Sequence, residues 1–428
     1  MKILIISKEA WRDEQNGGNV LSNLFDGFQA DFAQIYCNER EPDNHLCKRY
    51  FQITDRMMVR SIFGKGTAGR VLTYENSPHT KVEGQESFSG TKKWVGELAR
   101  IGREMVWAMG KWDKEGIKSF VDSFNPDVVF APCYGNVYMH KLTHLVCSYT
   151  KVPILSYISD DFYSNHQFRL SLLFWINHFF LRRSTRKVFK LYSIVYTMTD
   201  EQKSQCEKDF SANMRILRKC GIFDKRYEKD KVNDVIRMVY AGGIYLNRWK
   251  TLGKIADAIR VINKNGQRMR LDIYTSNPLT EKMSKKINDG VNSTVHDIVS
   301  MEDLMNIYHR SDIAIHAEGF DLKNRLIVRY SFSTKIVDCL DSGCAILAVC
   351  DQKQAGYAYL KRNDAALCIS RIEDVEDELR RIADNPGILV EYQKKAFELG
   401  RKNHLKTNVQ KMIKNDFEKS IWNRERKY

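Results

Sequence analysis

Hydrophobic residues along this chain occur in short runs of strand length, separated by longer stretches with helical spacing. One series of runs covers 3–7, 127–131, 153–158 and 193–197, and a second covers 237–241, 271–274, 312–316, 345–349 and 366–369. Such an alternation predicts a parallel sheet covered by helices. Because two series follow one another, we expect an α/β chain with two Rossmann-like domains.

The domain boundaries follow from the same pattern. A charged stretch with little apolar periodicity separates the two series, and 428 residues exceed what one hydrophobic core usually supports. We predict an N-terminal domain over 1–222, a linker over 223–234 and a second domain over 235–400. Residues 401–428 have helical spacing at Val409, Met412, Ile413 and Phe417 and are expected to form a C-terminal helix.

Two other segments are predicted to be helical. Residues 55–122 form a helical excursion of the first domain, with one buried face expected at Trp94, Leu98, Ile101, Met105 and Trp112. The apolar run 170–181 precedes a basic run and is interpreted first as a core helix. A second hypothesis places it on an anionic membrane surface, because a basic run follows the apolar one; it is too short to span a bilayer.

Charge and composition narrow the partners and the location. The formal net charge of +15 attracts anions, but the cations are spread along the chain rather than gathered into a recognition motif, so no nucleic-acid partner is expected. The first residues lack the pattern of a secretory signal, and the ten cysteines show no metal-binding spacing. We expect a cytoplasmic protein, with attachment at the inner face of the membrane as a further hypothesis.

The segment 333–348 carries the strongest candidate site. It is read as a small-residue turn, a short helix, a glycine stop and a buried strand. Backbone N–H groups at such a helix start attract phosphate, so Ser333 and Thr334 are expected to bind a donor phosphate, and Lys335 beside them is also assigned to the donor site. Asp338, one turn later, is expected to accept both hydroxyls of a ribose. The alternative is an ordinary strand–helix–strand unit with a capped helix.

Three further positions follow predicted strands. Gly17 and Gly18 follow the first strand, where glycine lets the backbone approach a ligand, although a plain turn is the alternative. Gly243 opens the second domain ahead of two cations, Arg248 and Lys250, that could stabilise a leaving phosphate. Asp160 follows the strand 153–158 at an edge where open α/β sheets bind ligands, and a helix cap is its alternative role.

The segment 333–348 resembles the donor-binding stretch of glycosyltransferase family 4, whose usual form is E-x7-E followed by a glycine and a strand. Counting back from Gly343 places Asp338 on the second glutamate and Tyr330 on the first. Because Tyr330 departs from the motif, Glu318 is proposed as a substitute carboxylate. Some branches of the family carry a Ser-Lys-Ile type of turn here, as this chain does.

The resemblance extends to the other candidate positions. Lys250 matches the family lysine that meets the leaving diphosphate, whereas Ile244 stands where the family has an arginine, for which Arg248 is a hypothetical replacement. Asp160 matches the aspartate of a His-Asp pair, with Ser159 in place of the histidine. The glycines at 17 and 18 match a Gly-Gly loop that faces the donor phosphate and the acceptor.

The resemblance implies the GT-B architecture, in which two Rossmann-like domains face a cleft and the C-terminal helix crosses back to the first domain. It further implies a retaining transferase that uses a UDP- or GDP-sugar as co-substrate, requires no metal or permanent cofactor, and acts on a glycan or lipid-linked acceptor. Two alternatives remain open, namely a GT-B sugar-nucleotide epimerase and a noncatalytic transferase-like partner subunit. A basic nucleic-acid-binding module is a third and less supported one.

Overall fold

The computed structural model describes residues 1–13, 16–73, 93–223 and 231–425. The chain forms two sheets in succession, one of eight strands and one of six. The first sheet ends before the predicted linker 223–234, of which residues 224–230 lie outside the described part. Two separate α/β units are therefore present, as the two series of hydrophobic runs predict.

The first sheet has the strand order β4-β3-β2-β1-β5-β6-β7-β8 and is parallel except for the antiparallel pair of β3 and β4. Its strands are β1 (Lys2–Ser7), β2 (Asp31–Tyr36), β3 (Cys47–Gln52), β4 (Arg70–Thr73), β5 (Val128–Phe130), β6 (Ile154–Ile158), β7 (Tyr192–Thr197) and β8 (Met214–Ile216). The helices of this unit are α1 (Asn16–Phe25), α2 (Asp55–Ile62), α3 (Lys93–Met109), α4 (Lys114–Phe124), α5 (Val137–Tyr149), α6 (Leu172–Phe189) and α7 (Asp200–Asp209).

The second sheet is parallel throughout and has the order β11-β10-β9-β12-β13-β14. Its strands are β9 (Ile236–Ala241), β10 (Met269–Tyr274), β11 (Ser293–His296), β12 (Ile313–Ala317), β13 (Ala345–Val349) and β14 (Leu367–Ile369). The remaining helices are α8 (Arg248–Ile262), α9 (Glu281–Ile287), α10 (Met301–His309), α11 (Leu322–Val328), α12 (Lys335–Asp341), α13 (Ala355–Arg362), α14 (Val375–Asp384), α15 (Ile388–His404) and α16 (Lys406–Glu425).

Both sheets reverse their strand order at a central strand. In the first sheet β1 lies between β2 and β5, and in the second β9 lies between β10 and β12. The helices that follow these strands leave towards opposite faces of such a sheet, which opens a crevice at the carboxyl ends of the central strands. Each unit therefore has one position where a ligand site is favoured.

Several strands of the first sheet were not predicted from the sequence. β2 and β3 contain glutamines that are fully buried, which interrupts the apolar pattern. The buried amide of Gln34 donates to the hydroxyl of Ser7 at 2.7 Å and accepts from the backbone of Trp11 at 3.0 Å. Gln52 accepts from Arg70 at 2.7 Å. These hydrogen bonds satisfy the polar groups of both glutamines inside the sheet. Buried strands can therefore contain polar residues, which a search for continuous apolar runs does not detect.

The predicted buried face of the excursion 55–122 is wrong in part. Leu98 and Met105 of α3 are half exposed, whereas Trp107 is fully buried and stacks on Tyr138 at 4.3 Å between ring centroids. The side chain of Trp94 lies outside the described residues. The excursion also contains the strand β4, so it is not wholly helical.

The C-terminal helix α16 crosses back to the first domain, as the expected architecture requires. Its Phe417 is fully buried against the rings of Phe25, Phe28 and Phe130. The buried carboxylate of Asp416 accepts from the hydroxyl of Tyr196 at 2.8 Å and pairs with Arg215. The end of the chain therefore completes the hydrophobic core of the first unit.

Ion pairs join the two domains beside the cleft. Arg329 binds Asp161 at 3.0 Å, and these side chains are only 12% and 2% exposed. Lys219 binds Asp338 at 2.7 Å. A third contact joins Arg362 to Asp200 and Glu201 at the surface. Because buried partners of an ion pair are costly to separate, the first contact fixes the relative position of the domains more firmly than the exposed one.

Candidate active site in the interdomain cleft

A cavity of about 480 Å³ lies between the domains, at the carboxyl ends of the central strands of both sheets. The first domain lines it with residues that follow β1, β5 and β6, and the second with residues that follow β9, β12 and β13. The polar residues lining it include Glu9, Ser159, Asp160, Arg248, His316, Glu318, Ser331, Ser333, Thr334, Lys335 and Gln354. Its position is the one at which doubly wound sheets bind ligands.

Lys335, the first residue of α12, places its ammonium group in this cleft. Its Nζ lies 3.3 Å from the hydroxyl of Tyr240 and 4.9 Å from the centre of that ring. Burial, and secondly the positive charge of Arg248, lower the pKa of Lys335 to about 8. The side chain is therefore mostly protonated at neutral pH and presents a partly desolvated positive charge, which attracts an anion more strongly than a solvated one.

A glycine makes room for this ammonium group. Gly242 follows β9 with φ of +137°, a conformation that other residues rarely adopt, and a methyl group there would overlap Nζ of Lys335. A residue with a side chain at position 242 would therefore displace the ammonium group of Lys335. Gly243, the predicted donor-binding residue, instead accepts a hydrogen bond from Tyr240 at 2.6 Å through its carbonyl oxygen.

Arg248 and Glu318 form a buried ion pair on the same wall. The guanidinium donates two hydrogen bonds to the carboxylate, at 2.7 and 2.8 Å, and the side chains are 10% and 6% exposed. Burial alone would lower the pKa of Arg248, but the hydrogen bonds and charge of Glu318 outweigh it and raise the pKa. Because the charges of Glu318 and Arg248 neutralise each other, the pair adds little net charge to the cleft.

Two further residues of this wall, His316 and Gln354, are buried and polar. Burial lowers the pKa of His316 to about 4, so its imidazole is neutral at physiological pH. Gln354 precedes α13 and is 2% exposed, yet neither atom of its amide has a hydrogen-bond partner within the described residues. An amide left without partners in a cleft is available to a ligand that both donates and accepts hydrogen bonds, such as a sugar hydroxyl.

The first-domain wall carries Asp160 among aromatic side chains. Asp160 accepts from the hydroxyl of Ser159 at 3.1 Å, and Tyr134, Tyr157 and Phe162 line the cavity beside it. The adjacent residue Asp161 does not line the cavity. Its carboxylate binds Arg329 and accepts from the hydroxyl of Ser164, the latter at 2.6 Å. The two neighbouring aspartates therefore differ in their contacts, because Asp160 lines the cavity and Asp161 joins the domains.

The structure brings six of the predicted site residues together in the cleft: Asp160, Arg248, Glu318, Ser333, Thr334 and Lys335. Three others are not among its described lining residues. Lys250 is exposed, with its ammonium 5.8 Å from the ring centre of Trp249. Asp338 pairs with Lys219, and Gly243 packs against Tyr245 and Asn277. Gly17 and Gly18 lie in α1 rather than in a loop, and their surroundings fall outside the described residues.

The two departures from the family pattern have packing roles. Ile244 is 1% exposed and belongs to the hydrophobic core of the second domain. Tyr330 lies against Arg329, with the guanidinium carbon 4.3 Å from the ring centre, and its carbonyl accepts from Thr199 at 3.2 Å. Both positions therefore support the wall and the domain contact instead of supplying charge.

The sequence did not identify Gln354 or His316 as site residues. His316 lies near the carboxyl end of β12 and Gln354 follows β13, both at the edge of the second sheet where ligands bind, so their position was a usable signal. Neither residue belongs to a recognised motif. Over the described parts of the chain, no group of three or more histidine, cysteine or acidic side chains is arranged to hold a metal ion. No helix in those parts is long and apolar enough to cross a bilayer.

Comparison of the sequence with protein-family models found no match, and none was found among curated protein sequences. Solved structures do match over almost the whole chain. Sucrose-phosphate synthase from Thermosynechococcus elongatus has 10% identity and a TM-score of 0.63, with 98% of each chain covered. HepE from Anabaena, in complex with UDP and glucose, has 11% identity and a TM-score of 0.60, covering 98% of this chain and all of its own.

A third similar structure is a mutant of S. aureus TarM in complex with fondaparinux, α-GlcNAc-glycerol and UDP. It has 10% identity and a TM-score of 0.58, with 97% of this chain and 99% of that chain covered. At this level of identity the similarity establishes the fold alone. The chain therefore has the GT-B architecture of two Rossmann-like domains facing a cleft, and the expected fold class is confirmed. Membership of family 4 stays a prediction.

Proposed function

We propose that this chain is a glycosyltransferase that moves a sugar from a nucleotide-sugar donor to a carbohydrate or lipid-linked acceptor. The observation that carries the proposal is the desolvated ammonium of Lys335 in a cavity at the switch points of both sheets. Solved structures of the same fold carry UDP, with glucose in one case and a GlcNAc-glycerol in another. We infer a UDP- or GDP-sugar donor for this chain.

The second-domain wall is proposed to hold the donor diphosphate. Lys335 supplies the charge, and the hydroxyls of Ser333 and Thr334 line the cavity beside it. As the bond from the anomeric carbon to the diphosphate breaks, negative charge grows on the leaving oxygen. A fixed cation in a partly desolvated site stabilises that charge without reorganisation, which is usually the largest contribution to catalysis. Lys335 thus replaces Lys250 as the proposed phosphate-binding lysine.

The proposed reaction needs no protein nucleophile. The acceptor oxygen bonds to the anomeric carbon on the face that the diphosphate leaves, and its proton passes to a phosphate oxygen of the leaving group. This route retains the anomeric configuration, as the resemblance implies. The protein's contribution is then orientation and electrostatics, with Gln354 and the neutral His316 available to sugar hydroxyls and Asp160 facing them from the first domain.

A transfer assay tests this proposal. The purified chain is incubated with a panel of UDP- and GDP-sugars, with and without oligosaccharide and lipid-linked acceptors, and the released nucleoside diphosphate and the donor isomers are measured. We expect acceptor-dependent release from one donor, reduced about a hundredfold in Lys335→Ala. Lys250→Ala is the matched control and should keep full activity. Donor isomerisation without acceptor would identify an epimerase, and no turnover of any donor would contradict the proposal.

A further inference from the structure

Helix α6 presents one continuous exposed face outside the cleft. The exposed residues of α6 and its C-cap recur with helical spacing, and we call them the α6 surface: Leu172, Ile176, Phe179, Phe180, Arg183, Arg186, Lys187 and Lys190. The opposite face, with Phe174, Leu181 and Val188, is buried in the first domain. The expected core helix therefore packs on one side only.

The first half of the α6 surface exposes several large apolar side chains to water. Leu172 is 74% exposed, Phe179 63% and Phe180 58%, and Leu170 in the preceding loop is 98% exposed. Large apolar side chains that are exposed singly are common, but a contiguous group of them marks an interaction site. Aromatic and leucine side chains of this kind insert into the boundary between lipid headgroups and acyl chains.

The second half of the α6 surface is cationic. Arg183, Arg186, Lys187 and Lys190 are all exposed, and the sequence contains no aspartate or glutamate from Phe162 to Thr199. This charge is more one-sided than that of the chain as a whole, where 53 acidic residues accompany 68 basic ones. A cluster of four to eight cations next to an amphipathic apolar face is the pattern that anionic lipid headgroups recognise.

A hollow beside this face offers a place for a headgroup. It has a volume of about 630 Å³ and is lined by Asn165, Trp175, His178, Phe179, Arg182, Arg183, Arg186, Lys187 and Lys190. His178 is 3% exposed, and its Nε2 has no hydrogen-bond partner among the described residues. Burial lowers the pKa of His178, and its ring donates to the backbone of Ser164, so the remaining nitrogen Nε2 accepts a hydrogen bond. It therefore suits a hydroxyl of a headgroup such as that of phosphatidylglycerol, whereas the surrounding cations suit the phosphate.

We propose that the α6 surface docks the protein on an anionic lipid bilayer, with the apolar half in the acyl boundary and a phosphate headgroup in the hollow. A nucleic acid would satisfy the cations but not the four exposed apolar side chains. A protein partner would have to present an apolar groove beside an acidic patch along the whole helix, whereas an anionic bilayer supplies both layers at any position. The bilayer is the occupant that accounts for both halves of the surface.

The position of the α6 surface also connects it to the cleft. The loop from Ser159 to Ser171 begins at the cavity wall with Ser159, Asp160 and Phe162 and leads directly into α6. Docking would therefore hold the first-domain wall near the membrane. The consequence that the acceptor is lipid-linked rests on the proposed transferase function, whereas binding to the bilayer does not.

Vesicle flotation of the full chain tests the docking. Vesicles of phosphatidylcholine alone are compared with vesicles in which one third is phosphatidylglycerol, and the bound fraction is measured as lipid is added. We expect binding to the anionic vesicles only. The variant R183E/R186E/K187E should partition roughly a hundredfold more weakly, since each cation near the surface contributes about 1 kcal/mol. Phe179→Ser with Phe180→Ser should weaken binding even at high salt.

The matched control reverses three exposed cations of α15, in K394E/R401E/K402E, which changes the net charge equally on another helix. It should bind as the unaltered chain does. Equal loss in the control, equal binding to neutral vesicles, or binding to RNA but not to vesicles would each overturn the proposal. Calorimetry with inorganic phosphate tests whether the hollow binds a free anion instead of a lipid headgroup. Tight phosphate binding without vesicle binding would also contradict docking. Vesicle binding without turnover of any donor would leave the docking intact and contradict the transferase function instead.

Discussion

The second-domain wall of the cleft is organised by charge, whereas the first-domain wall presents aromatic rings around one carboxylate. Lys335 and the Arg248–Glu318 pair stand on the second wall, and Asp160 stands among Tyr134, Tyr157 and Phe162 on the first. A wall with a desolvated cation suits a diphosphate. Aromatic faces beside a carboxylate suit a polyhydroxylated, uncharged molecule. We therefore propose that the second domain binds the donor diphosphate and the first domain the acceptor.

The largest expected effect comes from breaking the buried ion pair of the second wall. Glu318→Ala leaves Arg248 buried without its carboxylate, so the free energy of unfolding should fall by about 3–5 kcal/mol. Urea denaturation with Arg248→Met/Glu318→Leu as a comparison measures this. The double variant should recover most of the loss, because it leaves no unpaired buried charge. A single variant as stable as the unaltered chain would show that the pair is solvated.

The next effect comes from filling the space of Gly242. Gly242→Ala adds a methyl group where Nζ of Lys335 lies, at a φ that disfavours alanine. We expect the ammonium to be displaced and the affinity for nucleoside diphosphate to fall about tenfold, a loss of about 1.4 kcal/mol. Calorimetry measures the affinity. Gly266→Ala, also at a positive φ but with no atom near the added methyl, controls for backbone strain. Equal affinity in both variants would contradict the proposed position of Lys335.

The pH dependence of binding should follow Lys335. Its pKa is lowered to about 8, so the ammonium is present below this pH and is lost above it. Affinity for the nucleoside diphosphate should therefore fall roughly tenfold as the pH rises through 8 to well above it. In Lys335→Arg the charge persists, and the same titration should be nearly flat. The arginine variant also controls for ionisation of the ligand.

The same pKa shift has a consequence for stability without ligand. Between about pH 8 and the ordinary lysine range, the unfolded chain binds the proton that the folded chain has released. The contribution of Lys335 to the free energy of unfolding should therefore rise with pH in that window. Comparison of urea denaturation of the unaltered chain and Lys335→Met at neutral and alkaline pH isolates this contribution. An identical pH dependence in both proteins would contradict the lowered pKa.

The smallest expected effect concerns the first wall. Asp160→Asn keeps the shape of the side chain but removes its charge, and Asp160 has no ion pair among the described contacts of the cleft. We expect transfer to fall severalfold to about tenfold while the affinity for nucleoside diphosphate stays unchanged. Steady-state kinetics and calorimetry on the same protein separate the two. A loss of nucleotide affinity would show that the two walls do not divide the substrates as proposed.

The fold could be predicted because it depends on patterns that repeat. Buried parallel strands such as β1 and β13 are continuous apolar runs, and these were located almost to the residue. Strands β2 and β3 were missed because buried glutamines find hydrogen-bond partners that only the folded sheet provides. The face of α3 was misassigned because Trp107 stacks on a residue distant in sequence.

The candidate site was predictable in location but less so in detail. The segment 333–335 reaches the cleft because it starts α12, the helix that leads into β13, and such helices begin at the carboxyl edge of a parallel sheet. Asp338 and Lys250 match a motif along the sequence. In the fold, however, Asp338 forms an ion pair with Lys219 of the other domain, and Lys250 is exposed near the start of α8. Spacing along the chain does not specify contacts between domains. Gln354 was missed because only the folded structure shows that its buried amide has no hydrogen-bond partner among the described residues.

Calorimetric titration with UDP, GDP, ADP, CDP and dTDP tests most directly whether the cleft binds a nucleotide through Lys335. The unaltered chain is compared with Lys335→Ala and with Lys250→Ala, which removes an equal charge from the exposed start of α8. We expect binding of one nucleotide, weakened roughly 10- to 100-fold in Lys335→Ala and unchanged in Lys250→Ala. Binding lost in Lys250→Ala but kept in Lys335→Ala, or no binding by the folded unaltered chain, would contradict this expectation.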